Sequence, residues 1–543
     1  MQTFTLYLHN TSWRFPSEPA NIFHSFIMRY HKLIFAGVIA ILAIGFLPCN
    51  GFSQVGSLDL SFDSDGKVVT PIGTGNDYGQ AMTIQSDGKI IVAGYSRIGS
   101  GDAFALARYN ANGSLDNSFD ADGKVTTQIG VACRVHASAI QSDGKIVVAG
   151  YSSFSTTGFD FALARYNPNG SLDNSFDSDG MVTTDFGENG NEKAYSLAFQ
   201  PDGKIVVAGY NSNSATNQRD FALVRYNQNG KIDSTFDGDG KVFLSLAPGM
   251  DEGRSVAIQN DGKIVLAGFS FNFSERVFGL VRFKTDGSLD STFDSDGIVT
   301  TSISSNDDAA YSMAIQTDGK LVLAGYTSTN TTSYDFALVR YNSNGSLDTS
   351  FDSDGIVTTD IGTSSNLPYT LVIQSDGKML AAGNAANSFA IARYNPDGSP
   401  DTSFDADGMV TTSIGSPVSE DVVRSVALQN DGKIVVAGES SNGADYDFAL
   451  ARYNNSGTTE IDFSFNSNSP FKIYPNPAST SVNLHVDATL IGLTYQIMDC
   501  TGKSHLSGQI PSENTRIELS NLPQGIYFLG VEGRIWKVFV DKR

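Results

Sequence analysis

The sequence predicts an all-β chain: a seven-bladed β-propeller closed by its own N-terminal strand, followed by a small immunoglobulin-like β-sandwich. Three observations lead there. One unit recurs seven times at spacings of 53 to 60 residues, the signature of a repeat architecture. Each unit holds four short runs rich in β-branched and aromatic residues, separated by Asp-Gly or Asn-Gly turns. The array opens on a lone outer-type run and ends on three inner-type runs, so its two ends together supply one complete sheet.

Residues 1–53 are expected to be an N-terminal extension and signal peptide. Leu33–Leu47 is fifteen residues without a charge, preceded by Arg29 and Lys32 and followed by Gly51-Phe52-Ser53. That order fits an export signal cut between Ser53 and Gln54, with translation starting at Met28. The run is short of the ~20 apolar residues of a spanning helix, and a retained anchor is the alternative. Cys49 follows Pro48, where a lipoprotein signal wants a small residue.

Residues 54–455 form the array. GSLDxSFDxDG, with small changes, begins at Gly56, Gly113, Gly170, Gly230, Gly287, Gly345 and Gly398; QxDGKIVVAG and FALARYN each recur seven times between them. The first complete cycle reads as strands Gln80–Gln85, Lys89–Tyr95, Phe104–Asn110 and Lys124–Thr127. Ser86-Asp87-Gly88 makes a tight hairpin, since Gly tolerates positive φ and Asp bonds its own backbone. The apolar run Lys89–Gly94 suits a strand covered on both faces, as when sheets stack radially. Strand Lys67–Thr70 is expected to pair beside Phe448–Asn454 and hide two sheet edges; eight blades or a linear array are the alternatives. The wording resembles the delta-60 repeat family from about Gly56 to Asn455, which implies a propeller-like fold and no particular activity.

A Ser/Asn/Thr-rich linker, 456–469, leads to a different module at 470–543. Alternating runs at Ser481–Val486, Thr494–Met498, Arg516–Leu519, Ile526–Val531 and Ile535–Val540 predict the sandwich. The module resembles the C-terminal sorting domain of type IX secretion through Tyr474-Pro475-Asn476-Pro477, Asp499 with Gly502-Lys503, Leu522 with Gly525-Ile526-Tyr527, and Lys537 to Val540 followed by Lys542-Arg543. The resemblance implies passage across both membranes, engagement of the type IX machinery, and a mature protein that is released or attached at the outer surface after processing. An accessory domain that stays in place is the alternative.

Chemistry is sparsely signalled. With 36 basic against 58 acidic side chains the net charge is −22, which argues against nucleic acid. Cys133 and Cys500 are too few for a disulfide framework. Of the three His beyond the signal, only His136 lies in the array, inside a predicted strand of one repeat, where a structural role is expected; His485 and His505 lie in the tail. No metal-spaced His cluster, P-loop or dinucleotide fingerprint occurs, so no cofactor is expected and the chain is read as non-enzymatic. Asp116, Asp120 and Asp122, with Asp173, Asp177 and Asp179 in the next unit, could offer oxygens to calcium, although turn-capping explains the same Asp-x-Asp-Gly pattern.

Arg108, Arg165, Arg225, Arg282, Arg340, Arg393 and Arg452 share one register of the third strand, usually with an Asp just before that strand. A repeated Arg–Asp bond holding each sheet to its neighbour is expected. The loops QSDGK and NGSLDxSFDxDG emerge on one face. Those on the other vary: Ser152–Asp160, Asn211–Asp220, Ala247–Gly253, Ser302–Ala309 and Ser413–Val423. A glycan or protein partner is expected on that variable face, although Trp13 and Trp536 both lie outside the array and provide no stacking platform. The resulting expectation is a secreted or surface-displayed binding or adhesion module. A polysaccharide hydrolase using carboxylates on the variable face, or a structural matrix protein, are the alternatives.

Overall fold

The computed structural model describes residues 54–455, apart from 155–157, 188–189, 213–215, 217, 331–332, 363–364 and 416–419, and residues 471–542, apart from 475–477, 487–489, 499–503 and 532–533. The expected signal segment, the linker and the motif residues Pro475, Asn476, Pro477, Asp499, Gly502 and Lys503 lie outside the described residues.

The array folds into seven four-stranded antiparallel blades. Blade 1 comprises, from the centre outward, Asp77–Ile84, Ile90–Ile98, Gly101–Tyr109 and Lys124–Thr127. Blades 2 to 6 follow over 132–184, 193–244, 250–301, 308–359 and 366–412. Blade 7 takes Asp421–Leu428, Ile434–Ser441 and Tyr446–Tyr453 from the end of the array and Lys67–Thr70 from its start. The pairing runs from Lys67 opposite Ala451 to Thr70 opposite Phe448. The first strands of successive blades contact one another all the way round, blade 7 to blade 1 included. The ring is closed, as the permuted order of the repeats predicts.

Each repeated phrase has a local reason. In QSDGK the Gln85 N–H bonds the Lys89 carbonyl at 2.8 Å, the Asp87 carboxylate accepts the Lys89 N–H at 3.1 Å, and Gly88 sits at φ +84°. The second strand is buried along Ile90–Tyr95 and the third along its whole length, because both are covered by the adjoining blades. Burial is organised as seven inter-blade cores. One packs Ile91, Phe104 and Leu106 of blade 1 on Val135, Ile146 and Val148 of blade 2. The last packs Val435, Phe448 and Leu450 of blade 7, with Val68 of the closing strand, on Ile90, Val92 and Ala105 of blade 1. Tyrosines bridge the same interfaces: Tyr166 OH donates to Thr127 Oγ1 of the preceding blade at 2.8 Å, and Tyr394 OH to Thr359 Oγ1 likewise.

The tail is a sandwich of a three-stranded sheet (Phe471–Tyr474, Ser481–Val486, Asn514–Glu518) and a four-stranded one, ordered Ser504–Gln509, Thr494–Met498, Gly525–Val531, Arg534–Val540. Val482, Leu484, Ile497, Leu529 and Val538 fill its core. Two strands go beyond the sequence reading. One of them, Ser504–Gln509, is a mostly exposed edge with no β-branched residue. Among the described residues no helix is long and apolar enough to cross a membrane.

Candidate functional site

The innermost strand of every blade carries a one-residue β-bulge at the same register. The bulged residues are Gln80, His136, Tyr195, Arg254, Tyr311, Tyr369 and Arg424. A bulge re-aims its side chain, and the repeated Gly of VVAGY makes this one possible. A Cβ at Gly94 would overlap the carbonyl oxygen of Tyr78 across the pair, so the second strand must be Gly where the bulge presses on it. The bulge lies midway along the strand, which runs from the variable loop to the QSDGK turn.

These side chains meet around the centre. His136 packs on Tyr195 at 4.9 Å. The Arg254 guanidinium lies over Tyr195 at 4.0 Å and Tyr311 at 5.3 Å. Tyr311 contacts Tyr369 at 5.3 Å, and Arg424 covers Tyr369 at 4.4 Å. Arg424 Nε donates to Glu439 at 2.9 Å, and Gln80 Nε2 reaches the other oxygen of Glu439 at 3.4 Å. Tyr78, stacked on Tyr95 at 4.8 Å, and Arg134, over Tyr95 at 4.6 Å, complete the circuit back towards Tyr151, which stacks on His136 at 5.4 Å. Below the ring, the Ser196, Ser255 and Ser312 hydroxyls accept the N–H groups of Val256, Met313 and Leu371 on the next innermost strand. These bonds fix the spacing of the bulges.

The ring is aromatic and carries arginines paired with glutamates, Arg254 with Glu252 and Arg424 with Glu439. Arg219 and Arg254 both donate to Glu252, so one carboxylate serves two guanidiniums. Burial holds the His136 imidazole well below its usual range, helped by Arg254, Arg424, Lys193 and Arg134; it is neutral at pH 7. Burial raises Glu439 even though Arg424 pulls the other way. At the rim, burial, Asp160 and Asp185 push Glu192 up to about 8, with Lys241 opposing them. Such a surface can stack on sugar faces and hold anions. Sequence reasoning missed it: its aromatic residues are Tyr rather than Trp, and His136 is part of it. The readable signal was the residue five places before each QxDGK glutamine, which is Gln, His, Tyr, Arg, Tyr, Tyr and Arg in turn.

The recurrent arginines occupy another place. Each third-strand Arg sets its Nε against an Asp of its own blade in an ion pair, not against the Asp that precedes the strand. Arg108 meets Asp116 at 2.7 Å, Arg165 meets Asp173, Arg225 Asp233, Arg282 Asp290, Arg340 Asp348 and Arg393 Asp401. The expected partner, Asp102, lies at the other end of the strand, about 20 Å away in extended chain, and pairs with Arg97 and Arg134 instead. The link between blades is the Nη1 bond to a carbonyl of the next blade: Arg108 to Pro168 at 2.5 Å, Arg225 to Thr285 at 2.6 Å, and finally Arg452 to Ala111 at 2.5 Å across the closure. Each guanidinium also stacks on a buried Phe, as Arg108 does on Phe119. Blade 7 takes its Asp from the start of the array, with Arg452 Nε donating to Asp59 at 2.7 Å.

The aspartates read as calcium candidates are occupied by this frame. Asp116 and Asp173 accept from Arg, from Lys89 and Lys145 respectively, and from Ser118 and Ser175. Burial opposes their ionisation, but these donors hold both well below the usual carboxylate range. Asp122 and Asp179 cap the N–H groups of Lys124 and Met181 at 2.9 Å. Asp120 and Asp177 take positive φ and donate their own N–H to the next blade. Among the described residues, the three carboxylates whose oxygens converge are others: Asp160, Asp185 and Glu192. In the tail, Tyr474 is exposed, Tyr527 is buried with its OH on the Pro523 carbonyl, and Gly525 and Lys537 lie opposite Val540 and Phe528 in the last hairpin.

The family model "Domain of unknown function (DUF5122) beta-propeller" matches at 85–119, 141–176, 200–236, 259–293, 316–351, 374–404 and 429–460, and the "Secretion system C-terminal sorting domain" model at 472–539. No curated protein matches the sequence. Among solved structures, PorZ of Porphyromonas gingivalis, a surface component of the type-IX secretion system, is 12% identical with a TM-score of 0.36 over 85% of this chain, which spans only 59% of PorZ. Sqt1 of Chaetomium thermophilum, bound to the N-terminus of ribosomal protein L10, is 11% identical with a TM-score of 0.41, covering 72% of this chain and 99% of its own. A streptogramin B lyase is 10% identical at 0.40, covering 71% and 97%. The chain is thus an array of seven DUF5122 β-propeller repeats carrying a type IX secretion sorting domain, which directs it to the outer surface or beyond.

Proposed function

We propose that the exported propeller is a non-enzymatic binding module whose ligand is an acidic glycan, docked on the Tyr–Arg ring at the variable face. The observation that carries this reading is the ring itself: seven bulges on one rigid frame present tyrosines interleaved with Arg254 and Arg424, and Glu252 is shared between two arginines. Aromatic faces fit the apolar faces of sugars, and guanidiniums in fork geometry fit carboxylate or sulfate. The neutral His136 sits among cations and packs on Tyr151 and Tyr195.

The test is binding of immobilised uronate-rich and neutral polysaccharides by the full chain. Acidic polymers should bind and neutral ones should not, and Arg254→Gln should weaken binding at least about tenfold, the loss of one desolvated charge contact. Asp122→Asn, on the opposite face, should leave binding unchanged. Equal binding of neutral polymers, or equal loss from both variants, contradicts the assignment. Release of shortened glycan, abolished by Glu439→Gln, would replace it with the hydrolase reading.

A further inference from the structure

One position at the start of the innermost strand has the same task in six blades. Its side chain turns back and takes up groups of the loop arriving from the previous blade. Asp77 accepts the N–H groups of Ile72 and Gly73 at 2.6 and 3.0 Å, Asp251 those of Leu246 and Ala247, and Asp308 those of Ile303 and Ser304. Asp421 accepts Ile414 N–H at 2.8 Å, the Cys133 sulfur accepts Ile129 N–H, and Asn366 donates to Asp360. Blade 3 departs from the rule. It carries Glu192, fully buried, and neither carboxylate oxygen receives a hydrogen bond from any described residue.

What faces Glu192 is more negative charge. Its backbone N–H bonds the Phe159 carbonyl at 2.7 Å, which sets it beside Asp160, buried at the start of the third strand of blade 2. Asp185 follows the outer strand of that blade and is exposed. Carboxylate oxygens of the three residues lie within 4.8 Å of one another. Two oxygens on opposite sides of one calcium ion, each bound at about 2.4 Å, are about that far apart. Gly190 is required by the Ser212 carbonyl, which a Cβ would meet at 1.8 Å, and it also leaves Glu192 Oε1 uncrowded, 2.8 Å from where that Cβ would stand. The neighbouring ammonium, Lys241, is directed to the Asp185 backbone carbonyl at 2.8 Å, as Lys124 is to Pro71 and Lys67 to Ser413 in other blades. It serves the frame, and both Glu192 oxygens stay without a donor among the described residues.

We propose that Asp160, Asp185 and Glu192 bind one hard divalent cation, of the calcium type, at the rim of the variable face, clamping blade 2 to blade 3. Three carboxylates supply an all-oxygen set of the right charge, and water completes the coordination on the side of exposed Asp185. The site is separate from the central ring and from the repeated Asp-x-Asp-Gly turns.

The test is calorimetric titration of the chelator-treated full chain with calcium chloride, with melting measured in chelator and in about 5 mM calcium, above the affinity range of extracellular calcium modules. One calcium per chain and a higher melting midpoint are expected. Asp185→Asn, exposed and keeping an oxygen for the Gly187 N–H that Asp185 accepts at 2.6 Å, and Glu192→Gln, close in shape, should each weaken binding at least about tenfold. Glu192→Gln in chelator should melt at or above the parent chain, because it removes a buried carboxylate that lacks a donor. Asp122→Asn with Asp179→Asn should retain the site. No calcium heat and no melting shift in the parent chain, or undiminished binding by Asp185→Asn, overturns the proposal.

Discussion

Replacing Asp59 with Asn tests the closed ring directly, because the residue pairs with a strand 393 positions away. Its carboxylate accepts Arg452 Nε and Lys433 Nζ, both at 2.7 Å, and the Ser61 hydroxyl at 2.8 Å. Asn keeps the shape and the Ser61 contact but leaves two cations without their counter-charge. Arg452 is 5% exposed, which places the loss near the 3–5 kcal/mol for breaking a buried pair; Lys433, partly exposed, regains water and brings the expected cost to about 3 kcal/mol. Asp233 makes the same contacts inside blade 3, with Arg225 at 2.7 Å and Lys204 at 3.0 Å, but only eight residues from its arginine. Chemical-denaturant unfolding of the two Asn variants should give similar losses. If Asp233→Asn costs about 3 kcal/mol and Asp59→Asn less than about 0.5 kcal/mol, the value of an exposed pair, then the N-terminal strand is not seated in blade 7 and the ring is open in solution.

Acid should unfold the propeller through the same residues. Burial disfavours the charge of Asp59 and Asp401, yet Lys433 and Ser61, and Lys378 and Ser403, bring both down to about 2, and the five equivalent aspartates go lower still. A folded-state value below the unfolded one of about 3.9 gives stability that is complete above pH ~4 and lost as pH falls towards ~2; a denaturation midpoint that stays flat over that interval refutes the ion-pair frame. Gly209→Ala should cost about 3 kcal/mol, because its Cβ would run into the Lys193 carbonyl at the bulge, a backbone overlap that must shift the strand. Gly443→Ala, at φ +91° with open space around it, should cost only about 1 kcal/mol, and equal melting losses for the two would remove the steric account of the bulge.

Much of the fold was readable because a repeat states its constraints seven times. The hairpin turn, the doubly covered second strand and the closing strand each follow from residues whose local chemistry admits one conformation. The partner of the recurrent arginines was not readable. Asp102 and Asp116 are each within a few residues of Arg108 in sequence, and only strand direction, which carries Asp102 to the far end, separates them. The central ring was obscured for a different reason. A strand read with strict alternation places residue 80 by parity, whereas the bulge adds one residue and resets parity midway through the strand. The glycine that announces the bulge sits on the neighbouring strand, Gly94, and reads by itself as part of an apolar run.

Equivalence among repeats also supplies an argument about function that no single blade could. Where all seven units carry the same residue, the fold requires it, as with the Arg–Asp–Phe cluster that locks each blade to the next. Where the backbone does the same thing seven times but the side chain differs, as at the bulges, the fold has set the geometry and left the chemistry free. Seven identical bulges aimed at one centre, filled with Tyr, Arg, His and Gln rather than the small residues that flank them, are costly as mere packing: two of the seven bring guanidiniums into a crowded interior, and a charge there needs a partner. Glu192 is the converse case, a position whose structural task is fixed in six blades and abandoned in one. Both departures sit on a backbone that the repeat has already fixed, which is what separates them from the Arg–Asp–Phe cluster, where side chain and backbone are fixed together.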